Sequence, residues 1–159
     1  MKRKIGCITV ISFITSISLF AQDQALSKIL LREIQSFKAK EFSFVLEKES
    51  LNQDEVNAQL ESFKNYQKLK PYFSKVNFLH PLKEDLEFSE ELKTYIELLN
   101  SNPIKVNVLV SPAFSMSMNR VCYLGRFKYQ KGGSEFVYIF EKSRDGIWHY
   151  LKGDYYLDY

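Results

Sequence analysis

Two hydrophobic periods divide the chain, and they meet near Pro103. Before it, apolar residues recur every third or fourth position, the spacing of one helical face. Leu26, Ile29, Leu30, Glu33 and Phe37 form such a stripe, and the spacing predicts a helix from Gln24 to about Lys40 with Glu33 as its one polar break. The run FSFVL, residues 42–46, alternates Phe42, Phe44 and Leu46, and reads as a short strand or as the end of that helix. Ser50 followed by Gln53 has the form of a capping box. It would open a helix carrying Val56, Leu60, Phe63 and Leu69 that ends before Pro71. Residues 71–88, with Pro71 and Pro81, read as irregular. Ser89 ahead of Glu90 and Glu91 suits an N-cap with acids at the positive helix end. Leu92, Ile96 and Leu99 then give a buried stripe that Pro103 stops.

After Pro103 the period falls to two, the repeat of a strand. Ile104, Val106, Val108 and Val110 share a face, as do Val121, Tyr123, Gly125, Phe127 and Tyr129. Phe136, Tyr138 and Phe140 follow, and Ile147 opens a last run. Residues 22–124 hold no glycine, whereas Gly125, Gly132, Gly133, Gly146 and Gly153 crowd the end. KGG and RDG therefore read as hairpin turns. The prediction is an α+β fold: about three N-terminal helices packed on one face of a curved four-stranded antiparallel sheet.

Composition changes the picture at the N-terminus. Lys2, Arg3 and Lys4 precede an apolar run, Ile5 to Phe20, that closes at Ala21 before a polar QDQ. Charge, short apolar core and small residue are the order of a secretory signal peptide. The run is shorter than the roughly 20 residues that span hydrocarbon. Cys7 precedes the apolar core and so is misplaced for a lipidated cysteine. The expectation is a signal peptide over 1–21, cleavage near Ala21, export to the periplasm or medium, and a single domain over 22–159 with no stable membrane span. Beyond Ala21, 19 Lys and Arg face 19 Asp and Glu, so the basic surplus belongs to the targeting segment. A neutral domain lacks the cationic surplus that phosphate backbones demand, which argues against nucleic acid. Cys122 alone remains, so no intrachain disulfide can staple the fold.

Candidate chemistry is sparse. His80 and His149 lie far apart and Cys122 stands alone, so the chain shows no zinc-ligand spacing and no metal or other cofactor is expected. No Gly-x-Ser-x-Gly occurs. Cys122, with Arg120, Leu124 and Arg126, would occupy the face opposite Tyr123 as a structural thiol. Arg126 and Lys128 alternate with Phe127 and Tyr129, which places the charges on a solvated face. SPAFSMSMN, residues 111–119, reads as a connection that packs Phe114, Met116 and Met118 over the sheet end.

In the order of its elements, helices first and an aromatic-rich closing strand last, the chain resembles the NTF2-like (cystatin-like cone) superfamily. The resemblance covers most of residues 24–153 and includes no diagnostic motif. It implies helices seated in a concave sheet with a cavity between them, and members of that superfamily include isomerases, dehydratases, dimerising subunits and binding modules. Fold alone does not choose among these. On this reading Tyr123, Phe127, Tyr138, Trp148 and Tyr150 would line the cavity, and His149 or Asp154 would be the base of an enzyme. Because Trp148 and His149 are neighbours in a strand, they should face opposite ways. Burying Trp148 with Tyr150 removes more aromatic area from water, which leaves His149 outside.

The leading expectation is therefore an exported binding domain without chemistry of its own. Its partner would be a small apolar molecule in the cavity, or a protein, including a second copy, on the open sheet face. The rivals are a cavity enzyme of the isomerase or dehydratase kind and a structural, envelope-associated interaction protein. N-terminal sequencing of the exported protein is expected to start at or near Gln22. A mature protein that retains Met1 would contradict the targeting assignment.

Overall fold

A computed structural model of the chain describes residues 5–37, 41–82 and 85–158, with only the backbone given for 5–20, 157 and 158. The cationic start of the expected targeting segment, Lys2 to Lys4, lies outside the described residues, as does Tyr159. The elements run α1 (Ile5–Ser36), β1 (Phe42–Lys48), α2 (Gln53–Asn65), α3 (Lys70–Phe73), β2 (His80–Pro81), α4 (Glu90–Leu98), β3 (Ile104–Val110), β4 (Phe114–Ser117), β5 (Arg120–Tyr129), β6 (Gly132–Lys142) and β7 (Trp148–Asp158). Helix α1 passes through Ala21 without a break, so the expected cleavage point falls inside a helix. Among the described residues no helix is long and apolar enough to cross a membrane.

The fold is α+β, but it is not three helices on a four-stranded antiparallel sheet. Among the described residues, four helices accompany one seven-stranded mixed sheet. Strand β1 is the first departure. FSFVL is a strand, and it pairs in parallel with β3 from Phe42↔Ile104 to Lys48↔Val110. A parallel pair needs a long crossover, and residues 49–103, with three of the helices, supply it. Strands β3 and β4 share one edge of β5, at Gly125–Lys128 and Arg120–Cys122. Strand β6 takes the other edge of β5 along its whole length, and β7 closes the sheet beyond β6.

The second departure is that both sheet faces are covered. Val106, Val108, Tyr123, Phe127, Phe136, Tyr138 and Phe140 pack on Leu26, Ile29, Leu30 and Ile34 of α1 and on Leu92 and Ile96 of α4. Phe114, Cys122, Leu124, Val137 and Ile139 of the opposite face pack on Val56, Leu60, Phe63 and Phe73. The cause lies in the central strands. VCYL in β5 and FVYIF in β6 are apolar on both sides, and a strand of that kind must be covered on both. The face expected to be solvated is thus an interior. Its Arg126 is half-buried and paired with Glu49, while Lys128 stays exposed.

Local details move as well. The cap of α2 is Asn52, two residues past Ser50. Its Oδ1 accepts the Glu55 amide at 3.0 Å, and the Glu55 carboxylate accepts the Asn52 amide at 2.8 Å. Pro71 does not end that helix but sits at the start of α3, where its missing N–H is harmless. Ser89 caps α4 as the sequence predicts, accepting the Leu92 amide at 3.2 Å. Phe114 is buried within β4, and Met118 stands 97% exposed at the β4–β5 turn.

Gly125 pairs with Val110 of β3 on one side and with Phe136 of β6 on the other. A Cβ there would lie 2.4 Å from the Phe136 ring and 2.5 Å from the backbone oxygen of Leu109. The ring could turn aside, but the carbonyl belongs to a paired strand. Gly125→Ala is expected to cost about 1–3 kcal/mol, from overpacking against a fixed neighbour. The measurement is urea unfolding, and an unchanged midpoint would show that β3 and β5 do not approach this closely.

Candidate functional site: a groove between helix α1 and strand β7

The space where a cavity was expected is filled. Tyr123, Phe127 and Tyr138 are buried in the core. Phe127 meets Phe136 at 5.2 Å, Phe136 stacks on Tyr138 at 4.7 Å, and Tyr123 meets Phe140 edge-on at 5.7 Å. Helix α1 is tied over these rings by polar bonds as well as by its apolar stripe. The Tyr123 hydroxyl donates to Asp23 Oδ1 at 2.9 Å, and Asp23 Oδ2 accepts the Glu87 amide at 3.0 Å. Ser27 Oγ accepts the Ser89 amide at 3.0 Å. Burial, and the Asp23 carboxylate beside it, push the Tyr123 phenol up, so it remains a donor. Even the polar break in the stripe is met, because Tyr155 donates to Glu33 at 3.1 Å. Asp23 had no role in the sequence reading. The signal was present, since Asp23 lies three residues before Leu26 and seven before Leu30, on the buried stripe itself.

What stays open is a groove of about 600 Å³ at the margin of that contact, between α1 and β7. One wall is Gln24, Ala25, Lys28, Ile29 and Arg32, with Ala21, the last residue of the expected targeting segment, at its end, and the other is Phe140 with Gly146 to Tyr150. Trp148 is half-buried, while Tyr150 is 42% and Ile147 55% exposed. Trp148 and Tyr150 pair with Lys142 and Phe140 of β6, so they share one face and His149, opposite Glu141, takes the other. The Lys142 ammonium stands 5.8 Å from the centre of the Trp148 ring, a cation–π distance. The Trp148 indole nitrogen is buried with no acceptor among the described residues. Tyr150 lies edge-on to Phe140 at 5.8 Å and to Tyr138 at 6.2 Å. It reaches Tyr138 across Gly153, where any Cβ would come within 2.4 Å of the Tyr150 hydroxyl and 2.5 Å of the Tyr138 ring. A break of register near Leu151 then turns the rest of the strand, so that Lys152 and Asp154 pair with Ile139 and Val137 of the far face.

The structure therefore separates the seven residues singled out from the sequence. Trp148, Tyr150 and His149 border the groove, Tyr123, Phe127 and Tyr138 are core, and Asp154 lies elsewhere. Asp154 is held between Lys68 at 3.6 Å and Lys152 at 3.5 Å, and it does not line this groove. Both of its ion-pair partners are lysines, so the carboxylate is already occupied and poorly placed to take a proton from a ligand. His149 Nε2 is 3.1 Å from Ser143 Oγ, superficially a nucleophile and its base. The same hydroxyl bonds Asp145 Oδ1 and lies 2.9 Å from the Ile147 carbonyl. It has one proton for three acceptors, and the bond to a carboxylate is the strongest of these. That bond holds the Asp145 carboxyl below its ordinary range. While Ser143 donates to Asp145, its oxygen is what remains for His149, an arrangement that serves the turn and not an attack by the hydroxyl. The trio closes the β6–β7 turn.

The remaining polar sites have structural explanations. Cys122 is fully buried, and burial pushes its thiol up, so no thiolate is on offer. Glu49 is buried against Arg126. Burial raises its carboxyl above the ordinary range, and the guanidinium pulls the other way. A second cavity of about 390 Å³ opens beside Glu49 at the start of α2, walled by Leu51, Val56, Pro81, Pro112 and Phe114. Tyr156 is edge-on to Phe63 at 4.8 Å, so it packs back on the domain. Among the described residues no three His, Cys, Asp or Glu side chains converge as metal ligands. No family model, no curated protein and no solved structure matches the chain, so the NTF2-like resemblance gains no support from them.

Proposed function

We propose that this chain is an exported binding module without chemistry of its own, and that the α1–β7 groove is its site. Export rests on the targeting pattern of residues 1–21. The observation that carries the binding reading is the groove itself, walled by Trp148, Tyr150, Phe140, Ile147 and Ile29 and open to solvent. Concave, largely apolar surfaces with a few polar groups at the rim are where small molecules bind. The enzyme reading is weaker because both candidate bases are engaged, His149 in a turn and Asp154 between two lysines.

A protein partner, a second copy included, has one observation in its favour. Tyr150, Leu151 and Tyr155 of the edge strand β7, and Ile147 just before it, are each exposed by more than a third. Two breaks of register in β7 weigh against it, because bulges are a means by which edge strands resist pairing with another chain. The small-molecule reading stands ahead.

Trp148 is the only tryptophan, so the groove carries its own reporter. Titration with decanol below its solubility limit, or with decanoate below its micelle concentration, is expected to shift the emission saturably and shield it from acrylamide. Ile147→Glu places a charge at the exposed lip and is expected to abolish the effect for both probes while leaving the circular dichroism unchanged. No response to either probe, or an undiminished response in the variant, would contradict the assignment.

A further inference from the structure

We infer that the ligand of this groove is a free small molecule with an apolar body and an anionic head group. The inference rests on the groove being the site, and it concerns what the groove selects. Gln24, Lys28 and Arg32 are spaced by four along α1 and so stand in one row on one side of the helix. That row forms the upper rim of the groove. Its two cations are exposed, and neither enters a salt bridge among the described residues. Below the row, Ile29, Ile147, Trp148 and Tyr150 give the apolar wall. No aspartate or glutamate lines the groove, although the domain carries equal numbers of acids and bases. The nearby Glu33 carboxylate is bonded to Tyr155.

This is a segregation of charge and not a surplus of it. A neutral apolar ligand would gain nothing from the row, and a cationic one would be repelled by it. An anionic head reaches a guanidinium that can bond it in two places and an ammonium one turn away, while its body lies on the aromatic wall. The groove holds about 600 Å³ between a helix and a strand, the size of a small-molecule site.

The test compares decanoate, ionised at neutral pH, with decanol, which has the same body and no charge. Dissociation constants are read from Trp148 emission at low salt. Decanoate is expected to bind about twofold to fivefold more tightly than decanol, the scale of a partly exposed ion pair. Arg32→Gln and Lys28→Gln should each erode that preference by weakening decanoate more than decanol, and added salt should do the same. Equal binding of the two probes, or substitutions that weaken both alike, would overturn the anionic selectivity and leave the groove as an apolar site. If neither probe binds, the groove assignment itself falls, and this inference with it.

Discussion

The aromatic face of β5 and β6 cannot be left to water, and the rest of the molecule follows from that. Tyr123, Phe127, Phe136, Tyr138 and Phe140 point one way from two adjacent strands. Each removes a large apolar area when covered. Helix α1 covers them with Leu26, Ile29, Leu30 and Ile34 and anchors itself with a carboxylate placed among the rings. A buried carboxylate is costly unless its oxygens are met. Asp23 satisfies this by accepting from a phenol on the sheet and an amide of the segment before α4, so one side chain ties three parts of the chain.

That closure decides where a site can be. With the interior filled, a ligand is left to the surface, and at the seam where the helix meets the sheet β7 supplies Trp148 and Tyr150. Gly153 matters to this seam because it lets Tyr150 lie across its own strand. The turn before β7 holds its residues together through Ser143, which explains the crowding of His149 and Asp145 without assigning them a reaction.

Much of the helical half was legible in the sequence, because a buried helix stripe and a side-chain cap are local signals. The stripe of α1 and the Ser89 cap are where their residues say they should be. What the sequence did not disclose is non-local. Phe42, Phe44 and Leu46 could not announce a parallel partner 62 residues on. The second covered face was half visible. FVYIF is apolar on both sides, but Arg120 and Arg126 in the neighbouring strand made that face look solvated. At the site, the alternation that parts Trp148 from His149 was legible, whereas Lys28 and Arg32 look like any solvated helix face until β7 stands opposite them.

The most direct test of this account is a crystal structure of the exported protein soaked with decanoate. The account predicts ligand density between α1 and β7, its chain on Trp148 and Tyr150 and its carboxylate within hydrogen-bond reach of Arg32 or Lys28. Density among Tyr123, Phe127 and Tyr138, with α1 displaced from the sheet, would contradict it.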